Sequence, residues 1–261
     1  CYNSNPPLKT SSIFSPATRY DTVSTEACAM AARFAFGKNW RDFLESFSDE
    51  RRKRARKSLC RMLKCESLDR LHFIDVGSGS GLFSLAARDL GASVHSFDYD
   101  QDSVACTESL RERFYPDDTG WKVEQGSILD DHYVQSLGQF DIVYSWGVLH
   151  HTGDMWAALA RVDDLLRPGG RLYIAIYNDQ GAVSRMWRAI KRIYVASPTP
   201  IRLLLVLAVG MATESADALF RLFTFRNPLP FAKWRDFRTQ RGMSIWHDLV
   251  DWVGGYPFEV A

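Results

Sequence analysis

Asp75-Val76-Gly77-Ser78-Gly79-Ser80-Gly81-Leu82 is the stretch best suited to hold a ligand. Glycines at alternate positions let a chain turn tightly and bring its backbone close to a bound molecule. Leu82 opens a segment of helical composition, and the first N–H groups of a helix lack intrahelical partners and can point at that molecule. A dinucleotide fingerprint has the spacing G-x-G-x-x-G, which needs glycine where Leu82 stands; this loop reads G-x-G-x-G. A pyrophosphate-binding dehydrogenase loop is therefore disfavoured, and the plain alternative is a strand-to-helix turn without a ligand. Asp98 shifts that balance. It ends the next apolar stretch, about 20 residues downstream, where a carboxylate can accept both hydroxyls of a ribose. Loop and acid together point to a ligand that carries adenosine. His150 and His151 follow a further apolar stretch, and imidazole titrates near neutral pH, so either could take a proton from an acceptor hydroxyl or thiol. Their alternative role is loop packing. His247 beside Asp248 is a second acid–base pair by type, with plain helix surface as its alternative.

These residues fall at the ends of regularly spaced elements. Apolar runs at Leu71–Val76, Ser93–Asp98, Trp121–Gln125, Phe140–Ser145 and Arg171–Tyr177 read as strands. Helices are expected between them at Leu82–Leu90, 101–114 and Met155–Leu166, the last stopped by Arg167-Pro168-Gly169-Gly170. Alternation of this kind implies right-handed crossovers and an α/β fold, a doubly wound, mainly parallel sheet. Residues 1–70 read as an N-terminal helical segment, with helices at Ala27–Phe36 and Asp49–Lys64; Arg33 to Trp40 could fold over the ligand as a lid. Residues 71–180 form the ligand-binding core. Residues 181–250 lose the strand rhythm and are rich in helix formers and aromatics, including Trp187, Tyr194, Phe225, Phe231, Trp234 and Phe237. They read as a helical insertion after strand five that caps an acceptor pocket, and residues 251–261 return toward the sheet.

The totals exclude several classes. Of 261 residues, 32 are basic and 31 acidic, for a net charge of +1, which argues against a large footprint on nucleic acid. The basic run Arg51-Arg52-Lys53-Arg54 with Arg56 and Lys57 reads as a solvated helix face, with RNA contact as the rival reading. The 5 cysteines are odd in number and lack CxxC spacing, so they suggest neither a zinc site nor a disulfide framework; a reducing, cytoplasmic setting fits. Hydrophobic residues make up 46% of the chain, and the mean hydropathy is -0.21. The apolar run Ile201–Ala212 precedes Glu214 and Asp217, and a buried helix or one resting on a membrane surface is expected rather than a span.

Within residues 71 to 178 the sequence resembles the Rossmann-like, class I methyltransferases that use S-adenosylmethionine (SAM). The segments that carry the resemblance are Phe73–Gly81, Phe97-Asp98, Gly126-Ser127-Ile128, Phe140–His151 and Leu166–Gly170, in that order. It is most similar to small-molecule methyltransferases, including the O-methyltransferases of quinone biosynthesis. The resemblance implies that Asp75 and the backbone of Gly77, Ser78, Gly79 and Gly81 surround the methionine part of SAM. It puts the ribose on Asp98, Tyr99 beside the adenine, and Ser127 and Ile128 on the adenine's flanks. Ser145 and Trp146 would lie on the sulfonium side. His151, or else His150, would act as base or orient the acceptor, and Tyr177, Asn178 and His247 would face it. The quinone enzymes carry metal-binding carboxylates where Gly147 and His150 stand here, so no metal requirement is expected.

The expected activity is methyl transfer from SAM to an oxygen or sulfur nucleophile of a small molecule, leaving S-adenosylhomocysteine. Rival readings are a thiol or sulfide methyltransferase, an RNA-modifying enzyme and a non-catalytic SAM-binding protein. The lipophilic run adds weak membrane-surface contact as an expected partner. The first residue is not Met, and the sequence stops at Ala261, where the class usually adds an antiparallel strand pair, so the natural chain is expected to continue.

Overall fold

A strand buried on both faces needs apolar side chains at consecutive positions rather than alternate ones. β1 (His72–Val76) meets this with Phe73, Ile74 and Val76, all buried. β2 (Ser93–Asp98), β3 (Trp121–Gln125), β4 (Phe140–Trp146) and β5 (Leu166–Ala175) follow. The computed structural model describes residue 34 and residues 47–224 and 245–261; of residues 245 and 247 it describes the backbone alone. Every pairing in the sheet is parallel, and the strand order is β3-β2-β1-β4-β5. The chain starts at the centre, runs outward through β2 and β3, then crosses to the far side of β1. That reversal opens a crevice at the carboxyl ends of β1 and β4, where doubly wound sheets bind their ligands.

Both faces of the sheet are covered. Helices α1 (Asp49–Leu63) and α2 (Leu82–Asp89) pack on one face, where Leu59, Phe73, Leu85 and Tyr144 share a core. Between β2 and β3 runs α3 (Gln101–Phe114), whose Leu110 joins that core. On the other face, α4 (Asp131–Leu137) and α5 (Met155–Asp164) meet Ile74, Val143 and Leu149. The basic run lies on α1. Its Arg52 turns inward and pairs with Asp89 of α2 at 2.5 and 2.7 Å, while Lys53, Arg54, Arg56 and Lys57 are exposed.

Two elements differ from the sequence reading. Helix α4 is absent from it, because a helix of 7 residues with Val134 as its buried side chain carries little periodicity. What makes it is its cap: the Asp130 carboxylate accepts from the backbone N–H of His132 and Tyr133. Strand β5 begins at Leu166 and ends at Ala175, instead of spanning Arg171 to Tyr177. Leu166 pairs with Phe140 and Arg171 with Ile142, so the Pro-Gly-Gly turn bulges out of the strand rather than preceding it. The Arg167 guanidinium on Asp141, at 3.0 and 3.1 Å, holds the strand's start against β4.

After β5 come α6 (Ala182–Ala196), α7 (Thr199–Phe223) and α8 (Ile245–Gly254). Tyr194, Val206 and Val253 form their small core, with Phe34 packed against it. Helix α7 is not the buried helix that one reading of its sequence expected. Val206 is its single buried residue, and Leu204, Met211 and Phe223 are 64%, 66% and 79% exposed. By length and composition it is apolar enough to cross a membrane. Apart from Phe34, the proposed N-terminal lid and helix lie outside the described residues, as do Phe225, Phe231, Trp234 and Phe237.

Candidate active site

The crevice holds a cavity of about 650 Å³. One wall is the bend after β1, which hangs from β2 by the N–H groups of Gly77 and Ser78, both donating to Phe97 O. Gly77 has φ +81°, and a Cβ there would lie 2.4 Å from Val148 Cγ1; glycine is what lets the bend pass beside the β4 loop. Gly81 does a different job. Its φ is +73° and a Cβ would lie 2.8 Å from Thr107 Cα, so it permits α2 and α3 to approach, and it is not part of the cavity lining.

Two carboxyl groups reach this cavity from neighbouring strands. Asp75 is 2% exposed, and burial, with the charge of Asp98 adding to it, pushes its pKa up to about 7 against the opposing hydrogen bond from Ser84. A chain of donors holds it: Trp121 Nε1 to Ser96 Oγ at 2.9 Å, Ser96 to Ser84 Oγ at 2.8 Å, and Ser84 to Asp75 Oδ2 at 2.5 Å. Asp98 is likewise pushed up to about 6 by burial, although Asp100 N and Gly79 N each donate to one of its oxygens at 2.9 Å. The backbone N–H of Tyr99 also bonds this carboxylate, which when ionised still has acceptor capacity for a ligand hydroxyl. Tyr99, Ser78 and Gly79 line the same space.

The adjacent histidines part company on the 3-10 turn Leu149–His151. His151 lines the cavity, and its Nδ1 lies 2.5 Å from Pro257 O. A carbonyl only accepts, so Nδ1 carries the hydrogen and the neutral ring has its lone pair on Nε2. His150 is 1% exposed, outside the cavity lining, with its ring 4.1 Å from that of Tyr177 and 4.2 Å from that of His151. Among the described residues neither of its ring nitrogens has a hydrogen-bond partner, and burial, helped by Lys191, lowers its pKa to about 4. It is a neutral packing side chain through the physiological range.

The other residues named from sequence divide similarly. Trp146 lines the cavity and lies nearly parallel to Tyr144 and Tyr173, at 12° and 11°. Ser145 is fully buried, and its Oγ donates to Val76 O at 2.9 Å, bracing β4 against β1. Ser127 and Ile128 do not line the cavity: Ser127 Oγ accepts from Leu129 N, and Ile128 packs into the core under α4 and α5. Tyr177, half-buried, packs against His150, Trp252 and Phe258 outside the cavity lining, and Asn178 is likewise outside it. His247 belongs to α8 by its backbone; its side chain lies outside the described residues. The cavity is also lined by Phe34, which falls in the segment read as a lid, and by Phe83, Val148, Thr152 and Tyr256, which sequence reasoning did not single out. Phe83 stands in the first turn of α2, directly after the glycine bend, and that position could have suggested it, but nothing local marks Tyr256.

The strand order, the glycine bend and the two acids beside it define a doubly wound domain of the Rossmann-like class. Residues 74–172 match the family model described as a methyltransferase domain. By that match this stretch is a methyltransferase domain, similar to those of the class I SAM-dependent enzymes. The ubiquinone biosynthesis O-methyltransferase of Rhizobium rhizogenes is 27% identical over 111 residues, which are 42% of this chain and 43% of that protein. The lovastatin diketide synthase of Aspergillus terreus is 31% identical over 121 residues, 43% of this chain and 5% of that one. The chain thus matches less than half the length of these relatives. Magnesium protoporphyrin IX methyltransferase of Synechocystis, a solved structure, covers 62% of this chain, with 76% of its own length matched, 15% identity and a TM-score of 0.47.

Proposed function

We propose that the protein transfers a methyl group from SAM to an oxygen of a small-molecule acceptor, with His151 as the base. The observation that carries this reading is the buried carboxyl of Asp75 beside the half-buried one of Asp98, in one cavity with aromatic walls. Without a positive partner both ionise at a cost, which is why their pKa values are raised. A ligand that brings a sulfonium and an ammonium group offsets that cost, and aromatic faces suit a sulfonium. SAM would supply an electrophilic methyl on sulfur, with a neutral thioether left behind. Asp98 would accept the ribose hydroxyls while Gly79 N and Asp100 N hold it in place. Asp75 would face the amino-acid end, kept in position by Ser84. His151 would receive the acceptor's proton on Nε2, the nitrogen that Pro257 leaves unprotonated. Phe34, Phe83 and Tyr256 would keep water from that step.

The relatives' names favour oxygen as the nucleophile, and sulfur remains the second reading because a thiol would use the same base. Incubating the protein with labelled SAM and a panel of phenols, sugars, carboxylates and thiols tests both. S-Adenosylhomocysteine formed with phenols and not with thiols is the expected outcome; release only with thiols would replace the oxygen reading. We further propose that the α6–α7 hairpin rests on an anionic membrane surface. Arg185, Arg188 and Arg192 are exposed on α6, which has no acidic residue, beside the uncovered apolar length of α7. Sedimentation with anionic liposomes but not with neutral ones is the expected result, and absence of binding to both would remove this partner.

A further inference from the structure

The segment after α8 touches the histidine turn at several points, and each contact is specific. Pro257 O accepts from His151 Nδ1, and Glu259 N donates to His150 O at 2.9 Å. The Glu259 carboxylate then reaches past the turn. Its Oε2 accepts from Gly153 N at 3.1 Å and from Met155 N at 3.0 Å. Met155 is the first residue of α5, so the charge sits at the positive end of that helix dipole. The same helix start already has a cap of its own, since Asp154 Oδ1 accepts from Ala157 N. Glu259 is therefore not needed to begin the helix. What it adds is a tie between the far end of the loop and a segment more than a hundred residues away.

We propose that Glu259 is a positioning residue for His151. By fixing residues 153 and 155 it holds residues 257 and 259 in register with the loop, and this places the Pro257 carbonyl against Nδ1. The nitrogen that carries the hydrogen in a neutral imidazole is set by the hydrogen bond the ring makes. With the carbonyl in place, the lone pair belongs to Nε2. With it displaced, the ring falls back toward the Nε2–H tautomer that isolated imidazole side chains favour, and the base is lost. Other ties of the segment, Phe34 N to Tyr256 O, Ala261 N to Tyr177 O, Asp179 N to Ala261 O and Arg188 Nε to Phe258 O, keep it docked without acting on the histidine turn.

This inference rests on His151 being the base, and the experiment separates the two claims. In the full chain labelled with ¹⁵N-histidine, the His151 ring is read by NMR for the unsubstituted protein, Glu259→Ala, Glu259→Asp and Glu259→Gln. Glu259→Asp keeps the charge but withdraws the carboxylate by one methylene, so it stands in should the alanine variant not fold. Expected is an Nδ1–H ring in the parent, an Nε2–H majority in the Ala and Asp variants, and recovery in Gln, whose amide oxygen accepts the same two N–H groups. Calorimetry should give an unchanged SAM affinity, while kcat falls about tenfold in the Ala and Asp variants with KM little altered. An unchanged tautomer in those variants overturns the proposal. A switched tautomer with unchanged kcat upholds the positioning role and removes His151 as base.

Discussion

Replacing His151 with alanine is expected to lower kcat about 100-fold or more while SAM affinity stays within about twofold. On the proposed reading the two parameters separate because the imidazole would act on the acceptor's proton, whereas Asp75, Asp98 and the glycine bend would face SAM. The matching change at His150 should behave differently. That ring is buried, lowered to a pKa of about 4, and packed at a tilt against Tyr177, so its loss removes packing rather than a proton acceptor. His150→Phe, which keeps the ring and discards its two unpartnered nitrogens, should retain most of kcat and leave thermal stability equal or higher. Steady-state kinetics with the acceptor found by the labelled-SAM screen, beside calorimetry with SAM alone, provides the check. A His151→Ala enzyme with parental kcat would end the base assignment, and a tenfold loss in His150→Phe would move it to the neighbouring ring.

SAM affinity is expected to rise as pH is raised from about 5.5 to 8 and then to level off. Burial raises the pKa of Asp75 to about 7 and that of Asp98 to about 6, both above the ordinary carboxyl value of 3.8. In the ligand-free protein each therefore holds its proton to a higher pH than it would in the unfolded chain. Folded protein then binds more protons between the two values, and the contribution of these groups to stability falls as pH rises through that window. A cationic ligand reverses the preference. It binds best to the ionised carboxylates, so protons leave on binding below about pH 7, and affinity grows until both acids are ionised. S-Adenosylhomocysteine lacks the sulfonium charge, so its affinity should climb less steeply over the same range. Asp98→Asn should remove most of the lower part of the SAM dependence. It should also weaken binding about tenfold or more, because the amide cannot accept from both Gly79 N and Asp100 N. Titrations in buffers of different ionisation enthalpy measure the protons directly. Equal SAM affinity at pH 5.5 and 8, with no proton exchanged, would contradict the account.

Local signals carried the core of the fold. β2, β3 and α3 have the bounds that their apolar runs and caps indicate, Ser93–Asp98, Trp121–Gln125 and Gln101–Phe114. α4 escaped because its stability comes from a single capping aspartate rather than from a repeating apolar face. The start of β5 was misplaced because a Pro-Gly-Gly sequence breaks a strand in most settings, yet here Arg167 on Asp141 keeps Leu166 paired with β4. At the site, Asp75 and Asp98 were legible because Asp98 ends its strand and Asp75 stands one residue before the end of its own, and the carboxyl end of a parallel strand is where its ligands lie. Ser84 was not. A serine one turn into an amphipathic helix looks like any other until Asp75 and Ser96 are seen on either side of it.

The sequence by itself determined the order of strands and helices, the glycine bend, and the acids that flank it, since those features follow from side-chain periodicity and from what a glycine permits. Tertiary structure alone decided which of two adjacent histidines reaches the cavity and which nitrogen of His151 bears the hydrogen. Both depend on Pro257 and Glu259, brought against the turn from across the fold. The physical reason is range. Helix and strand preferences act over a few neighbouring residues, whereas the state of an imidazole is set by whatever carbonyl lies within hydrogen-bonding distance, however far along the chain it belongs.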